Sequence, residues 1–379
     1  MNMHGMDEKT IRSILNDLKS KDTPYERVLS SMCTYPHPVA VAAHQQFIET
    51  NLGDPGLFAG TAEIEHEVMR MMGTLFGNPD AHGYITTGGT ESNIQAIHAI
   101  KTARKIREPN IIVPASAHFS FDKVADILGI EVQKADLDPE FRADISSVED
   151  LIDENTIGIV GIAGTTEFGQ IDPIRELSDL ALSKNIFLHV DAAFGGFVIP
   201  FLREKYEFDF TLPGVTSIAA DPHKMGFATI PTGGLLFQDS SYLNRLSVDT
   251  PYLTVNSQQT LSGTRSGASA ASAYAVFTYL GREGYERIVQ RCMELTHELV
   301  ARARESGIEP LIDPVTNVLV LDVPDADSVR SKLKKRGWDV SITRDPRALR
   351  LVIMPHLSRE NLNLFADDFA DVVKWTSAT

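Results

Sequence analysis

Three polar features stand where apolar runs end. Asp191 closes Ile186-Phe187-Leu188-His189-Val190, and His223-Lys224 follows the small-residue run Ser217-Ile218-Ala219-Ala220. Gly88-Gly89-Thr90-Glu91-Ser92-Asn93 joins a short apolar run to a helical one. A carboxylate finishing a buried strand is costly unless it is paired. A lysine in a small-residue loop after such a strand suits attack on a carbonyl. The glycine pair turns backbone N–H groups toward one point at a helix N-terminus, a geometry that holds a single phosphate. Neither Gly-x-x-x-x-Gly-Lys-Ser/Thr nor Gly-x-Gly-x-x-Gly occurs, so triphosphate and dinucleotide sites lack their usual warrant.

Taken singly, each feature has a plain structural explanation, such as a helix-entry turn for Gly88-Gly89. Jointly they meet the needs of pyridoxal 5′-phosphate. Its phosphate takes the N–H nest, its aldehyde takes the lysine, and its ring nitrogen takes a carboxylate that keeps it protonated.

The elements that must position these groups follow from periodicity. Residues 7–50 read as a helix, a Tyr35-Pro36-His37-Pro38 turn and a second helix, and 53–61 as an ordered loop before a helix to about 76. Short strands near 84–87, 110–113, 131–135, 157–163 and 186–191 alternate with helices near 91–104, 119–128, 146–152 and 173–183. Asp172-Pro173 reads as the N-cap and first residue of the last of these. That rhythm specifies α/β architecture, a mostly parallel sheet wrapped by helices. In such sheets ligands bind outside the carboxyl ends of the strands, where the three features lie. The small-residue run 262–275 leads into a long helix to about 304, followed by strands near 317–323 and 350–354 and helices at 326–336 and 358–375. The expected divisions are an N-terminal helical segment (1–52), a large cofactor-binding domain (53–267) and a small C-terminal α+β domain (268–379).

With 379 residues, 43% of them apolar, the chain can bury a sizeable core. Its formal charge of −16 argues against nucleic acid and anionic membrane as partners, so any anion must be held by local donors. Cys33 and Cys292, the two cysteines, form no Cys-x-x-Cys pair, which disfavours a disulfide framework or a cysteine metal site and suits a reducing compartment. His66, His98 and His297 fall on helices without a partner at ligand spacing, so no metal is expected. Residues 1–10 lack the apolar core of a secretion signal, and the expected location is the cytoplasm.

The stretches Gly88–Asn93, Ala117-His118-Phe119-Ser120, Gly164-Thr165-Thr166, His189-Val190-Asp191-Ala192-Ala193 and Asp221-Pro222-His223-Lys224 stand in an order that resembles the group II pyridoxal-phosphate-dependent amino-acid decarboxylases. The short length is most similar to the archaeal L-tyrosine/L-aspartate decarboxylase branch. The resemblance implies the aspartate-aminotransferase fold (fold type I) and a homodimer with sites near the interface. It also implies a carboxy-lyase reaction through an external aldimine and a quinonoid, its products serving coenzyme A or methanofuran biosynthesis.

Carried over by position, Lys224 would form the internal aldimine, Asp191 would pair with the pyridinium nitrogen and His118 would stack on the ring. Ala193 would touch the opposite face. Gly89, Thr90 and His223 would contact phosphate, and Thr166 would support Asp191 or the cofactor's 3′ oxygen. Ser262 and Gly263 resemble a segment that reaches the partner's phosphate. Arg350 would bind a substrate carboxylate, while Tyr35, His37, Phe58 and Thr61 would contribute to the substrate pocket. Tyr252 corresponds in region to a tyrosine that reprotonates the α-carbon, with the alternative of a packed loop tyrosine. His118 could instead cap a helix, and His189, two residues from Asp191, reads as its hydrogen-bonding support. Rival readings are another fold type I lyase (phosphate-ester lyase, glutamate decarboxylase or cysteine desulfurase) and a catalytically silent cofactor-binding protein.

Overall fold

A computed structural model describes residues 3–377 of the chain. The first helix, α1 (Glu8–Lys19), is capped by Asp7 and buries none of its residues. An irregular stretch then leads to α2 (Pro38–Gln46) and α3 (Ala59–Leu75). The alternating region comprises β1 (His82–Thr86), α4 (Gly89–Ala103), β2 (Asn110–Pro114), α5 (Ser120–Leu128), β3 (Glu131–Ala135), α6 (Ile145–Asp150), β4 (Thr156–Ile162), α7 (Ile174–Lys184), β5 (Phe187–Asp191) and β6 (Val215–Ala220). It closes with β7 (Gly233–Phe237) and α8 (Ser240–Asn244). A two-stranded hairpin of β8 (Val248–Asp249) and β9 (Ser257–Gln258) precedes the long α9 (Gly267–Glu305). The remainder is β10 (Val318–Leu321), α10 (Ala326–Lys335), β11 (Ser341–Ile342), β12 (Leu349–Val352) and α11 (Arg359–Ser377).

Seven strands form one sheet in the order β1-β7-β6-β5-β4-β2-β3, parallel except for the two pairings made by β7. That antiparallel strand is absent from the sequence reading. Gly83, Gly233 and Gly234 carry no apolar side chains, so periodicity does not mark this edge of the sheet. Every residue of β2, β4 and β6 is buried, as strands covered by helices on both faces must be. A separate antiparallel sheet, β10-β12-β11, packs on α10 and α11 around Trp338, Phe365 and Phe369. Helix α9 bends at Gly281 (φ 54°, ψ −175°) and lies against α2 and α3 before reaching the second sheet.

Two local expectations are corrected. Residues 20–37 do not form a helix and one turn. Leu29 is fully buried in the core of the second sheet. It donates from its N–H to Asp339 O at 2.8 Å and accepts from Val352 N at 2.7 Å. The extended backbone thus ties the N-terminal segment to the C-terminal sheet. Asp172 does not cap α7. Its carboxyl accepts from Ala143 N (2.8 Å) and Ile162 N (2.7 Å), and full burial pushes it up to about 7. Those backbone donors capture the side chain before the helix can. Among the described residues, no helix is long and apolar enough to cross a membrane, and no cluster of ligating side chains is placed to hold a metal.

Candidate active site

Because β1, β2, β4, β5 and β6 run parallel to one another, the loops after them open on the same edge of the sheet. A cavity of about 270 Å³ lies there. Gly88, Gly89, Thr90, His118, Thr166, Asp191, Ala193, His223 and Lys224 all line it, so the structure gathers nine expected residues that span 137 positions of sequence.

The anion end is the β1–α4 turn. Gly88 has φ 143°, a backbone conformation open to glycine and strained for other residues. A Cβ on Gly89 would stand 3.0 Å from the Ala193 Cβ and 3.3 Å from Asp221 Oδ2. Glu91 holds the turn by accepting from Thr87 N (2.8 Å) and Thr87 Oγ1 (2.7 Å). The first N–H groups of α4 have no intrahelical acceptors and carry the positive end of the helix dipole. His223 stands beside the turn, its Nδ1 2.7 Å from Thr232 O.

Lys224 lies in the turn after β6, with Nζ 3.3 Å from Asp221 Oδ2. The other Asp221 oxygen is buried without a hydrogen-bond partner. Asp191 is buried at the end of β5, accepting from Ala193 N (3.0 Å) and Asn93 Nδ2 (2.8 Å). His118, one residue before the N-cap Phe119, accepts from Ser120 N through Nδ1 (3.2 Å) while facing the cavity. Desolvation holds its imidazole below the usual range, against the opposing pull of Asp191. A neutral ring is suited to lie against a flat π-system.

This donor set fits pyridoxal phosphate: a glycine cradle into which a Cβ would intrude, a lysine ammonium, and a carboxylate held by two N–H donors. A buried carboxylate oxygen without a partner further marks the interior as a place for polar contacts.

Other expected residues lie outside the cavity. Arg350 is buried on β12, donating from Nε to Thr166 O (2.5 Å) and from Nη1 to Ser30 O and Ser341 Oγ (both 2.9 Å). Burial pushes it down to about 10. It therefore reaches the site's edge through the backbone of Thr166. Tyr252 is 83% exposed in the loop joining β8 to β9. That hairpin is pinned to residues 53–56, with Thr254 N donating to Asp54 Oδ1 (3.0 Å) and Gln258 Nε2 donating to Gly53 O (3.1 Å). Ser262 and Gly263 follow the same hairpin, and Gly263 O accepts from Gln258. His37 caps α2 and donates from its N–H to Phe227 O (3.0 Å), placing residues 35–37 against the turn that carries Lys224. Tyr35 is exposed, whereas Phe58 and Thr61 begin α3.

The sequence reading assigned no role to Asn93, Glu91 or Asp221. Signals for two of the three were present. Asn93 is one helical turn beyond Gly89 and so shares its face, and Asp221 stands three residues before Lys224 in a tight turn.

Residues 58–321 match the model of the pyridoxal-dependent decarboxylase conserved domain. A probable L-tyrosine/L-aspartate decarboxylase of Methanosarcina barkeri is 60% identical, the match covering 98% of this chain and 99% of that protein. A probable L-aspartate decarboxylase of Archaeoglobus fulgidus is 53% identical over 95% and 98% of the two chains. Among solved structures, a sphingosine-1-phosphate lyase of Burkholderia pseudomallei superposes with a TM-score of 0.91 at 29% identity, covering 99% of this chain and 92% of that one.

Proposed function

The chain belongs to the pyridoxal-dependent decarboxylase family, a fold type I group whose cofactor is pyridoxal 5′-phosphate, and on that premise we propose that it decarboxylates L-tyrosine to tyramine, L-aspartate to β-alanine, or both. The observation that carries the reading is the convergence of Lys224, Asp191 and the Gly88-Gly89 cradle on one cavity. Near-full-length identity to archaeal proteins bearing those two substrate names supports the substrate class.

Bound pyridoxal phosphate supplies an electron sink for the pair left behind as CO₂ departs. The side chains do the rest. Lys224, at the cavity wall, would hold the cofactor through its aldehyde group. Asp191, its carboxylate fixed in place beforehand by two N–H donors, would hold a proton on the ring nitrogen without reorganising as charge develops. His118 and Ala193 would confine the ring, Gly89, Thr90 and His223 would hold the phosphate, and Thr166 would border the ring. Ile162 and Phe194 add apolar lining to the cavity.

Arg350 retains Nη2 without a protein partner among the described residues, one arm of the guanidinium for a substrate carboxylate. Tyr252 is assigned as the donor that returns a proton to the α-carbon. Its exposure on a hairpin supports delivery from a moving loop or to a second subunit's site.

A homodimer is part of the same reading. Exposed apolar side chains on α1 (Ile11, Leu15, Leu18), together with Ile230 and Tyr279, need a cover that the described residues do not provide. Ser262 and Gly263 then face the partner's phosphate site, and Tyr35, His37, Phe58 and Thr61 border the substrate. Light scattering that returns a monomer overturns the dimer. The two free cysteines fit the cytoplasm.

The test is product analysis after incubating the loaded protein separately with L-tyrosine, L-aspartate and L-glutamate. Tyramine or β-alanine with matching CO₂ is expected. γ-Aminobutyrate alone, or no amine at all, overturns the proposal.

A further inference from the structure

Asp191 is one end of a buried chain that crosses four elements. Its Oδ2 accepts from Asn93 Nδ2 on α4 at 2.8 Å, and the same amide nitrogen is 3.0 Å from Ser120 Oγ on α5. Asn93 Oδ1 is 3.0 Å from His189 Nε2 on β5, and His189 Nδ1 is 2.9 Å from Ser217 Oγ on β6. Asn93, Ser120, His189 and Ser217 are all fully buried.

Chemistry allows these bonds one direction. An ionised carboxylate only accepts, so Asn93 must present its NH₂ to Asp191, which turns its carbonyl oxygen toward His189. That oxygen also only accepts, so His189 must carry its proton on Nε2. Burial pushes the imidazole down to about 4, against the opposing pull of Asp191 and Ser217, so the ring is neutral near pH 7. Its Nδ1 then accepts a hydrogen bond from the Ser217 hydroxyl. Turning the Asn93 amide over would set carbonyl oxygen against carboxylate oxygen and NH₂ against an imidazole N–H.

We propose that Asn93 is a positioning residue, its amide locked in one orientation by His189, that keeps the Asp191 carboxylate aimed and ready to hold the ring-nitrogen proton of the cofactor. The proposal rests on the assignment of Asp191 to that nitrogen. Without Asn93, Asp191 keeps only the Ala193 N–H and can rotate away from its aim. With a non-donor at position 189, the Asn93 amide loses the partner that prevents it from turning over.

The test reads the nitrogen directly. Each protein is loaded with pyridoxal phosphate carrying ¹⁵N in the ring, and the ¹⁵N resonance is recorded. Circular dichroism and the visible band of bound cofactor establish that each is folded and loaded. The wild type is expected at the protonated position and Asp191→Ala at the neutral one. Asn93→Ala and His189→Phe are expected to move part of that distance, with the cofactor dissociation constant rising about tenfold, the worth of one hydrogen bond to a charged group. His189→Gln, whose amide can still donate to Asn93, is expected to stay with the wild type. If Asp191→Ala moves while Asn93→Ala and His189→Phe remain at the wild-type position, the role of Asn93 is overturned alone. If His189→Gln moves as far as His189→Phe, the effect is packing and the proposal also fails. A neutral nitrogen in the wild type overturns the assignment of Asp191 instead.

Discussion

Gly88→Ala probes the anion cradle with the smallest possible change. At φ 143° an L-residue is strained, and the new Cβ would lie 3.3 Å from His223 Cε1. The turn has little room to relax. Thr87 is bonded to Glu91 on one side, and on the other the backbone presses on Gly233, where a Cβ would come within 2.5 Å of Gly88 Cα. Holding a non-glycine residue in such a conformation costs about 1–3 kcal/mol. That cost has two places to appear. If the turn keeps its shape, the cofactor-free protein unfolds at a free energy lower by that amount. If it opens, the cradle is lost and the cofactor dissociation constant rises about 5- to 150-fold. Urea unfolding of the cofactor-free protein and a titration followed by the visible band of the bound cofactor measure the two parts, whose sum is expected to reach at least about 1 kcal/mol. Gly60→Ala, in the first turn of α3 with nothing within 4 Å of its Cβ, is the control; it should leave cofactor binding unchanged and should not lower stability. A Gly88→Ala protein that unfolds and binds cofactor like the wild type would refute the reasoning.

Other expectations concern His189, Arg350 and Tyr252. Folded His189 sits near 4 and the unfolded residue near its ordinary 6.5, so acidification protonates the unfolded chain first. The stabilisation is complete above about pH 6.5 and is lost as pH falls toward 4. His189→Gln should therefore lose about 2 kcal/mol less unfolding free energy than the wild type between pH 7 and pH 5; parallel stability curves would contradict this. Arg350→Lys removes the planar fork and should lower kcat/KM about tenfold or more with the bound-cofactor spectrum intact; unchanged kinetics would clear Arg350 of substrate binding. Tyr252→Phe should slow amine formation and raise carbonyl by-products from misdirected protonation; unaltered yield and rate would remove Tyr252 from the mechanism.

Where the sequence was legible, chemistry and sheet geometry coincided. Lys224, Asp191 and Gly88-Gly89 each follow a parallel strand, and a parallel sheet delivers the ends of its strands to one edge, so their meeting could be read from order alone. His118 showed why two readings need not compete, since it bonds the first N–H of α5 and faces the cavity at once. Asp172 was misread because a helix cap is a local guess, whereas its actual partners, Ala143 and Ile162, come from other elements of the fold. Leu29 was missed for a similar reason, as its strand-like bonds are made more than 300 residues away. Asn93 stood inside a quoted motif, yet its bonds to Asp191 and His189 cross about a hundred positions and leave no periodic trace. Tyr252, Ser262 and Gly263 lie outside this chain's own cavity, and no pattern within one chain shows what a second copy brings.

The central claim is that Lys224 is the residue that holds the cofactor in this cavity. Borohydride reduction of the pyridoxal-phosphate-loaded protein, followed by peptide mass mapping, tests it most directly. The account predicts a phosphopyridoxyl group on the peptide containing Lys224, and none on that peptide or elsewhere in Lys224→Ala. A label on a different lysine of the wild type, or undiminished stoichiometric labelling of Lys224→Ala, would contradict it.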